Sequence, residues 1–220
     1  ANGATVTLLS AGTCSITASQ AGTASYQDAD SISRSFAIAK AAQAITFDQP
    51  ADRVYASGAT VTLTATGGAS GEPVTFASTT ASVCTTGGTH GATVTFVSAG
   101  TCSITASQAE TTSFTAADPV SRSFAISKAT QTITFDQPQN QVYEPGATLA
   151  LAASGGVSGN PVTFASTTPL VCTTGGTDGA TVTFVAPGTC SITASQEGDG
   201  SHEAASDVSR TFIIDKGNQV

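Results

Sequence analysis

The residues with the clearest chemical potential in this 220-residue sequence are its five cysteines. Cys84 and Cys102 lie 18 residues apart, and Cys172 and Cys190 repeat that spacing 88 residues later. We predict that each set forms a disulfide, which in the chain-entropy model contributes about 3 kcal/mol and indicates an oxidising compartment outside the cytoplasm. Cys14 is left without a partner. By the same spacing, its partner would lie four residues before the chain begins.

Two other uses of these cysteines are conceivable. A different phasing would pair Cys14 with Cys84 and Cys102 with Cys172, across 70 residues each, and would join successive units. A zinc site would need a CxxC motif or paired histidines, and neither accompanies the cysteines. The pairing within each unit is therefore the prediction, and the pairing between units is its alternative.

Acidic side chains accumulate before the last strand of each unit, where oxygen-rich loops can hold calcium. Their positions do not coincide when the units are aligned, and the sequence has no DxDxDG loop. We therefore predict that these acids are solvated loop residues and that the protein has no cofactor and no metal ligand. Bound calcium is the alternative. The acids in question are Asp28, Asp30, Asp118, Glu197, Asp199, Glu203 and Asp207.

The histidines and the recurring cations have structural explanations. His90 precedes a glycine, as do its equivalents Asn2 and Asp178, and these residue types tolerate the positive φ of a tight hairpin turn. His202 occupies a loop position that is aromatic in the other units, so a packing role is expected. The basic residues that flank the last strand are predicted to keep a sheet edge solvated. They are Arg34, Arg122, Arg210, Lys40, Lys128 and Lys216.

Catalysis and ligand binding have little support in these residue types. An isopeptide crosslink from Lys128 would need a buried lysine beside a catalytic acid, and no such cluster is visible. Glycan-binding sandwiches present aromatic rings on loops, but the chain has three tyrosines and no tryptophan. Tyr26 and Phe114 at loop tips are the remaining candidates, because Tyr55 and Tyr143 lie where packing explains them. We predict that the protein is not an enzyme.

The elements that must position these residues follow from an internal repeat of 88 residues. Residues 41–128 and 129–216 align without a gap and are identical at 59 of 88 positions. Residues 1–40 match the second half of the same unit, and residues 217–220 match the start of another. We expect two complete repeats, a truncated one and a stub, cut from a longer array.

Within a repeat, apolar residues alternate with Thr, Ser and Ala, which is the pattern of half-buried strands. Six or seven such strands, separated by Gly and Pro, predict an all-β fold of tandem antiparallel immunoglobulin-like sandwiches arranged as a rod. The predicted inward residues of the second repeat are Ile45, Phe47, Val61, Leu63, Val74, Phe76, Val94, Phe96, Cys102, Ile104, Ala106, Phe124 and Ile126.

Composition excludes several partners. Only 10% of the residues are charged, the net charge is −8, and there are seven Lys and Arg in all, so a nucleic-acid surface is not expected. No apolar run approaches the roughly 20 residues that span a bilayer, so this segment is not expected to insert into a membrane.

Particular strings resemble a known family. PVTFASTT at 73–80 and 161–168, the VCTT that follows shortly after each, and GTCSITASQ at 100–108 resemble the tandem bacterial immunoglobulin-like repeats of large secreted and surface-anchored proteins. The resemblance implies an extracellular or cell-surface stalk, adhesin or fibre segment and supplies no catalytic residues. The expected partners are neighbouring repeats and other copies in a fibre or sheath. A glycan- or ligand-binding adhesive module is the alternative.

Overall fold

A computed structural model describes residues 5–217 of the chain. Within that range the regular structure is extended, apart from two short 3₁₀ turns at Thr89–Gly91 and Thr177–Gly179. No helix of the described part has the length and hydrophobicity to cross a bilayer. Residues 5–40 contain the strands β1 (Gly12–Ala18) and β2 (Ile32–Ile38).

The strands of the two complete repeats follow in chain order. Residues 41–128 contain β3 (Arg53–Val54), β4 (Thr60–Thr62), β5 (Val74–Ser78), β6 (Cys84–Gly87), β7 (Thr93–Phe96), β8 (Gly100–Gln108) and β9 (Val120–Ser127). Residues 129–216 contain β10 (Thr134–Phe135), β11 (Gln141–Val142), β12 (Thr148–Ala150), β13 (Ala153–Ser154), β14 (Val162–Ser166), β15 (Cys172–Gly175), β16 (Thr181–Phe184), β17 (Gly188–Gln196) and β18 (Val208–Asp215).

The third repeat is a sandwich of two sheets around one apolar core. One sheet has the order β11-β18-β17-β14 and the other has the order β12-β16-β15, while β10 pairs with β13. Pairing is antiparallel except between β11 and β18, which align in parallel over two residues. Along β17 every second residue is buried because successive side chains of a strand point to opposite faces.

A disulfide joins the two sheets through that core. Cys172 begins β15 and Cys190 lies in β17, and their Cα atoms are 5.7 Å apart, within the usual range for a disulfide. Around it pack Ile133, Phe135, Leu151, Phe164, Val182, Phe184, Ile192, Ala194, Ala205, Phe212 and Ile214. Because the bridge crosses between sheets, it holds them face to face as in an immunoglobulin-like sandwich.

The second repeat has the same sheet orders, β3-β9-β8-β5 and β4-β7-β6, and its own disulfide, Cys84–Cys102. Eleven of the thirteen residues that the alternation predicts to point inward are buried. Val61 and Val74 are only half-buried. The fold is therefore all-β, with immunoglobulin-like sandwiches in tandem, as the alternation predicts.

Contacts divide the chain into two compact units whose limits do not follow the sequence repeats. The first unit comprises the residues up to Ala51 together with Thr60–Val97 and Thr101–Phe124. The second comprises Asp52–Ala59, Ser98–Gly100 and the residues from Ala125 onward. Each unit thus contains a place where one sequence repeat meets the next.

The turn before GATVT is longer than the tight hairpin expected from the sequence. His90 and Asp178 both adopt φ 56°, so the expected positive φ is present. They lie, however, in a 3₁₀ turn within the five-residue connections between β6 and β7 and between β15 and β16. The following Gly91, at φ 73°, packs so closely that a Cβ there would overlap the carbonyl oxygen of Phe76. The close contact with β5 therefore fixes the conformation of this connection.

The prediction for the recurring arginines is wrong. The last strand of a complete repeat is not at a sheet edge, because β9 lies between β3 and β8. The Nε atom of Arg122 donates to the carbonyl oxygen of Phe47 at 3.1 Å, and Arg210 donates to Phe135 at 3.0 Å. These arginines donate to a backbone carbonyl near the start of their own repeat, so they do not serve to keep a sheet edge solvated.

Candidate functional site: the junction between repeats

The junction between repeats is formed by the same hydrogen bond at two places in the chain. The backbone N–H of Ala11 donates to the Oγ atom of Ser113 at 3.3 Å. Eighty-eight residues later the N–H of Ala99 donates to the Oγ atom of Ser201, also at 3.3 Å. In both cases the turn before the long strand of one repeat contacts the last loop of the next repeat. The contact therefore recurs with the same period as the sequence.

A lysine at the end of each repeat makes the second junction contact. The ammonium of Lys40 lies 2.7 Å from the Oε2 atom of Glu110, and the ammonium of Lys128 donates to the carbonyl oxygen of Asp199 at 2.6 Å. Both acceptors lie in the last loop of the following repeat. The Lys40 ammonium lowers the pKa of the Glu110 carboxyl, through its hydrogen bond and then through its charge.

The residue after each lysine is joined to that same loop by backbone hydrogen bonds. The N–H of Ala129 donates to the carbonyl of Ser201 at 2.9 Å, and the N–H of Glu203 donates back to Ala129 at 2.8 Å. At the preceding junction Ala41 makes the equivalent bonds with Ser113 and Thr115. These two hydrogen bonds fix the first residue of each complete repeat to the last loop of that repeat. The connection is held by backbone bonds on both sides.

The loop that accepts these bonds is itself ordered by Asp199. Its Oδ1 atom accepts from the N–H groups of Ser201 and His202 at 2.7 Å each and lies 2.9 Å from the Nδ1 atom of His202. The Ser201 amide is the main cause of the lowered pKa of Asp199, with His202 adding to it. The His202 ring then meets the Tyr55 ring edge to face, with centroids 5.6 Å apart. A residue of the second repeat thus packs on the third.

The other candidate residues from the sequence differ in their exposure and contacts. Tyr26 is 78% exposed, whereas Phe114 is half-buried and pairs through its backbone with Ala41. Cys14 is a free thiol. Lys128 is exposed and contacts a backbone carbonyl. Within residues 5–217 no three acidic, His or Cys side chains are grouped closely enough to hold a metal ion.

Ser113 and Ser201 are junction residues that their type and spacing did not predict. A signal was nevertheless present, since serine occupies this position in all three copies, at 25, 113 and 201. Hydroxyl residues are so frequent in this chain that recurrence alone does not separate a junction serine from one on a solvated strand face.

Comparison with known proteins gives matches only among solved structures. Neither a protein-family model nor a curated protein matches the chain. Mouse protocadherin-24 EC1-3 is 10% identical over 93% of this chain and 80% of that one, with a TM-score of 0.39. Domains 1-6 of the surface layer protein SbsC are 16% identical over 95% and 36%, with a TM-score of 0.34. Drosophila N-cadherin EC1-4 is 11% identical over 94% and 58%, with a TM-score of 0.37.

These similarities are too distant to transfer any property to the chain, which spans a third to about four fifths of those structures. The assignment of the fold rests on the strand order and on the disulfides between sheets described above.

Proposed function

We propose that the chain is a non-catalytic structural segment of an extracellular protein, acting as a semi-rigid stalk or fibre segment of a bacterial surface adhesin or extracellular filament. The observation that supports this is the recurrence of one set of junction contacts at two places 88 residues apart. A repeat that specifies its own contact with the next repeat can be added many times with the same result.

The physical properties of the junction suit a load-bearing connection. Ala129 is fixed by two backbone hydrogen bonds, and the Tyr55 and His202 rings add an apolar contact. An ion pair as exposed as that of Lys40 and Glu110 contributes little stability, so its value lies in orientation. The disulfides and the resemblance to tandem surface repeats support an extracellular location for this function.

The stiffness of the junctions can be tested with matched variants. We expect the variant S113A/S201A/K40A/K128A to keep both sandwiches folded while the repeats tumble more independently, because the side-chain contacts that recur at both junctions are gone. Nuclear magnetic relaxation of the amides in each repeat measures this. The matched control is S25A/K216A, which changes the same two repeat positions where the described residues show no junction bond. Independent tumbling already present in the unchanged protein would contradict the proposal.

The spacer role predicts that length grows in proportion to repeat number. The longest strands have nine residues, which at about 3.3 Å each gives roughly 30 Å, or 30–40 Å per repeat with loops. Small-angle scattering of chains with two, four and six repeats measures the maximum dimension. Growth with the square root of repeat number would indicate a flexible chain and would contradict a stalk.

A glycan- or ligand-binding module is the second candidate, supported by the exposure of Tyr26. Against it, the equivalent ring of His202 packs on Tyr55, so this position serves the junction where a preceding repeat is present. A glycan array separates the two functions. Binding that is lost in the Tyr26→Ala variant would favour the adhesive module, whereas no binding by the unchanged chain would favour the stalk.

A further inference from the structure

The turn before the long strand has one backbone conformation in all three copies of the repeat. It ends at Gly12, Gly100 or Gly188, whose φ angles are 138°, 142° and 149°. In both complete repeats the valine three residues before this glycine donates its N–H to the valine carbonyl just before β6 or β15, at 2.9 and 2.8 Å. The turn therefore keeps its conformation whichever residue precedes the glycine.

The residue before the glycine differs in one copy. It is alanine at positions 11 and 99 and proline at position 187. Ala11 and Ala99 each use their N–H to bind the loop serine of the following repeat at 3.3 Å. Pro187 has no N–H, because its side chain closes a ring on the backbone nitrogen. The third repeat therefore cannot make the hydrogen bond that recurs at both junctions.

The proline ring also occupies the place of that hydrogen bond. Its Cδ atom replaces the amide hydrogen and lies about 1.5 Å from the nitrogen, the length of a C–N single bond. A serine oxygen placed as it is at Ala99 would then lie about 2–2.5 Å from Cδ, whereas carbon and oxygen atoms in contact stay at about 3.3 Å or more. A loop with serine at this position must therefore move away from Pro187.

The serine side of the junction is the same in every copy. Ser25, Ser113 and Ser201 are equivalent, and Ser201 is only 9% exposed where it meets the turn. A hydroxyl buried there without the N–H donor has lost a hydrogen-bond partner and is largely kept from water, which is unfavourable. A small apolar side chain at the serine position avoids both this buried hydroxyl and the overlap with the proline ring.

We propose that Pro187 determines which repeat can follow the third one. The partner that fits is a repeat whose last loop has a small apolar residue, such as alanine, in place of the serine that the three copies share. Repeats with alanine in the turn accept the loop serine, whereas the third repeat disfavours a further copy of itself. The proposal rests on the proposed function, since it needs ordered junctions, and it extends the interface of Ala99 and Ser201 to the next repeat boundary.

The first test introduces the proline into the existing junction. We expect the variant A99P to keep the second sandwich folded, because the third repeat has proline at this place in the same turn. The second and third repeats should lose their shared tumbling, which amide relaxation of the two repeats measures. The control A99G keeps the N–H and should keep the shared tumbling. An A99P variant that tumbles like the unchanged protein would overturn the proposal.

The loop serine separates selection of a partner from simple damage to the turn. S201A removes the hydrogen-bond acceptor, so by itself it should loosen the junction. In the A99P background the same substitution relieves the overlap, so the repeats of A99P/S201A should share more of their tumbling than those of A99P. Further loosening, or no change, in A99P/S201A would overturn the proposed partner, because the two substitutions would then act independently.

The third repeat itself is tested by joining a copy of residues 129–216 directly after Lys216. We expect the added copy to tumble independently of the third repeat. It should tumble with the third repeat after Pro187→Ala, or after alanine replaces the loop serine of the added copy. An added copy that already shares the tumbling of the unchanged third repeat would overturn the proposal. Independent tumbling of the second and third repeats in the same chain would instead contradict the proposed function, and this proposal with it.

Discussion

At the scale of single residues, each disulfide is expected to contribute about 2–4 kcal/mol to stability. Cys190 and its partner are fully buried at the centre of the third sandwich, and the 18-residue separation sets the size of the closed loop. Because the disulfide links the two cysteines, it limits the conformations that the unfolded chain between them can adopt.

We predict that C172A/C190A lowers the free energy of unfolding of the third repeat by about 2–4 kcal/mol. Amide exchange in β17 under denaturant measures this locally, without assuming that the whole chain unfolds in one step. The control is C14A, which removes a thiol that bonds to no other cysteine and should leave β17 unchanged. An equal loss in both variants would show that the bridge is not what stabilises the core.

The glycine that ends the 3₁₀ turn Thr89–Gly91 is the second residue with a decisive role. Gly91 has φ 73° and lies against the carbonyl of Phe76, so an alanine there meets both an unfavourable backbone conformation and an overlap. We predict that Gly91→Ala lowers the free energy of unfolding by about 1–3 kcal/mol. The control is Gly87→Ala, where an added Cβ meets nothing within 4 Å. Urea unfolding followed by amide exchange in β5 compares the two, and equal effects would contradict the explanation.

At the scale of elements, a buried glutamine at the end of each long strand fixes the glycine-rich loop. Gln196 is 4% exposed, and its Oε1 atom accepts from the N–H of Gly156 at 2.7 Å. Its Nε2 atom donates to the carbonyl of Asn160, also at 2.7 Å. Gln108 makes the equivalent bonds in the second repeat. A buried side chain at a strand end thus satisfies backbone groups of a loop that lies outside the sheets.

We predict that Gln196→Ala lowers the stability of the third repeat by about 1–3 kcal/mol, because it removes the buried partner of the half-buried Gly156 amide and Asn160 carbonyl. Faster amide exchange at Gly156 with unchanged exchange in β16 is the expected result. Gln20→Ala changes the equivalent residue, which is exposed and should have no effect on the third repeat. Uniformly faster exchange throughout that repeat would indicate a general packing defect instead.

At the scale of the whole molecule, the junctions should respond to acid. Lys40 holds the pKa of Glu110 below its usual value near 4.5, so the pair that orients the junction is fully formed at pH values above the pKa of the unfolded chain. That contribution is lost as the pH falls through the folded-state pKa. Asp199, whose pKa is also lowered, behaves in the same sense.

We therefore predict that inter-repeat order decreases in acid below the usual carboxyl range while the disulfide-bonded sandwiches stay folded. Amide relaxation of each repeat between pH 6 and pH 3 measures it. The variant E110Q/D199N should show a flat profile across that range, at the lower order of the acid state. A pH response that persists in this double variant would assign the effect to other groups.

The alternation of apolar and hydroxyl residues determined the strands, because a period of two on a half-buried sheet follows from backbone geometry alone. The 88-residue period likewise determined the number of sandwiches, since closely similar segments fold alike. It left two ways of pairing the cysteines open, and the structure shows the pairing within each repeat. Burial of Ile104 and Phe124 was predictable from the same pattern, whereas Val61 was placed inside and is only half-buried.

The junction was decided only by the tertiary structure. Ser113, Glu110 and Tyr55 are ordinary surface residues by type, and their partners lie at least 70 residues away in sequence. The position of β9 inside its sheet, and with it the role of Arg122, also depends on a two-residue strand too short to leave a periodic signal. Local geometry makes strands predictable from sequence, but contacts between distant surfaces depend on how the folded elements are brought together.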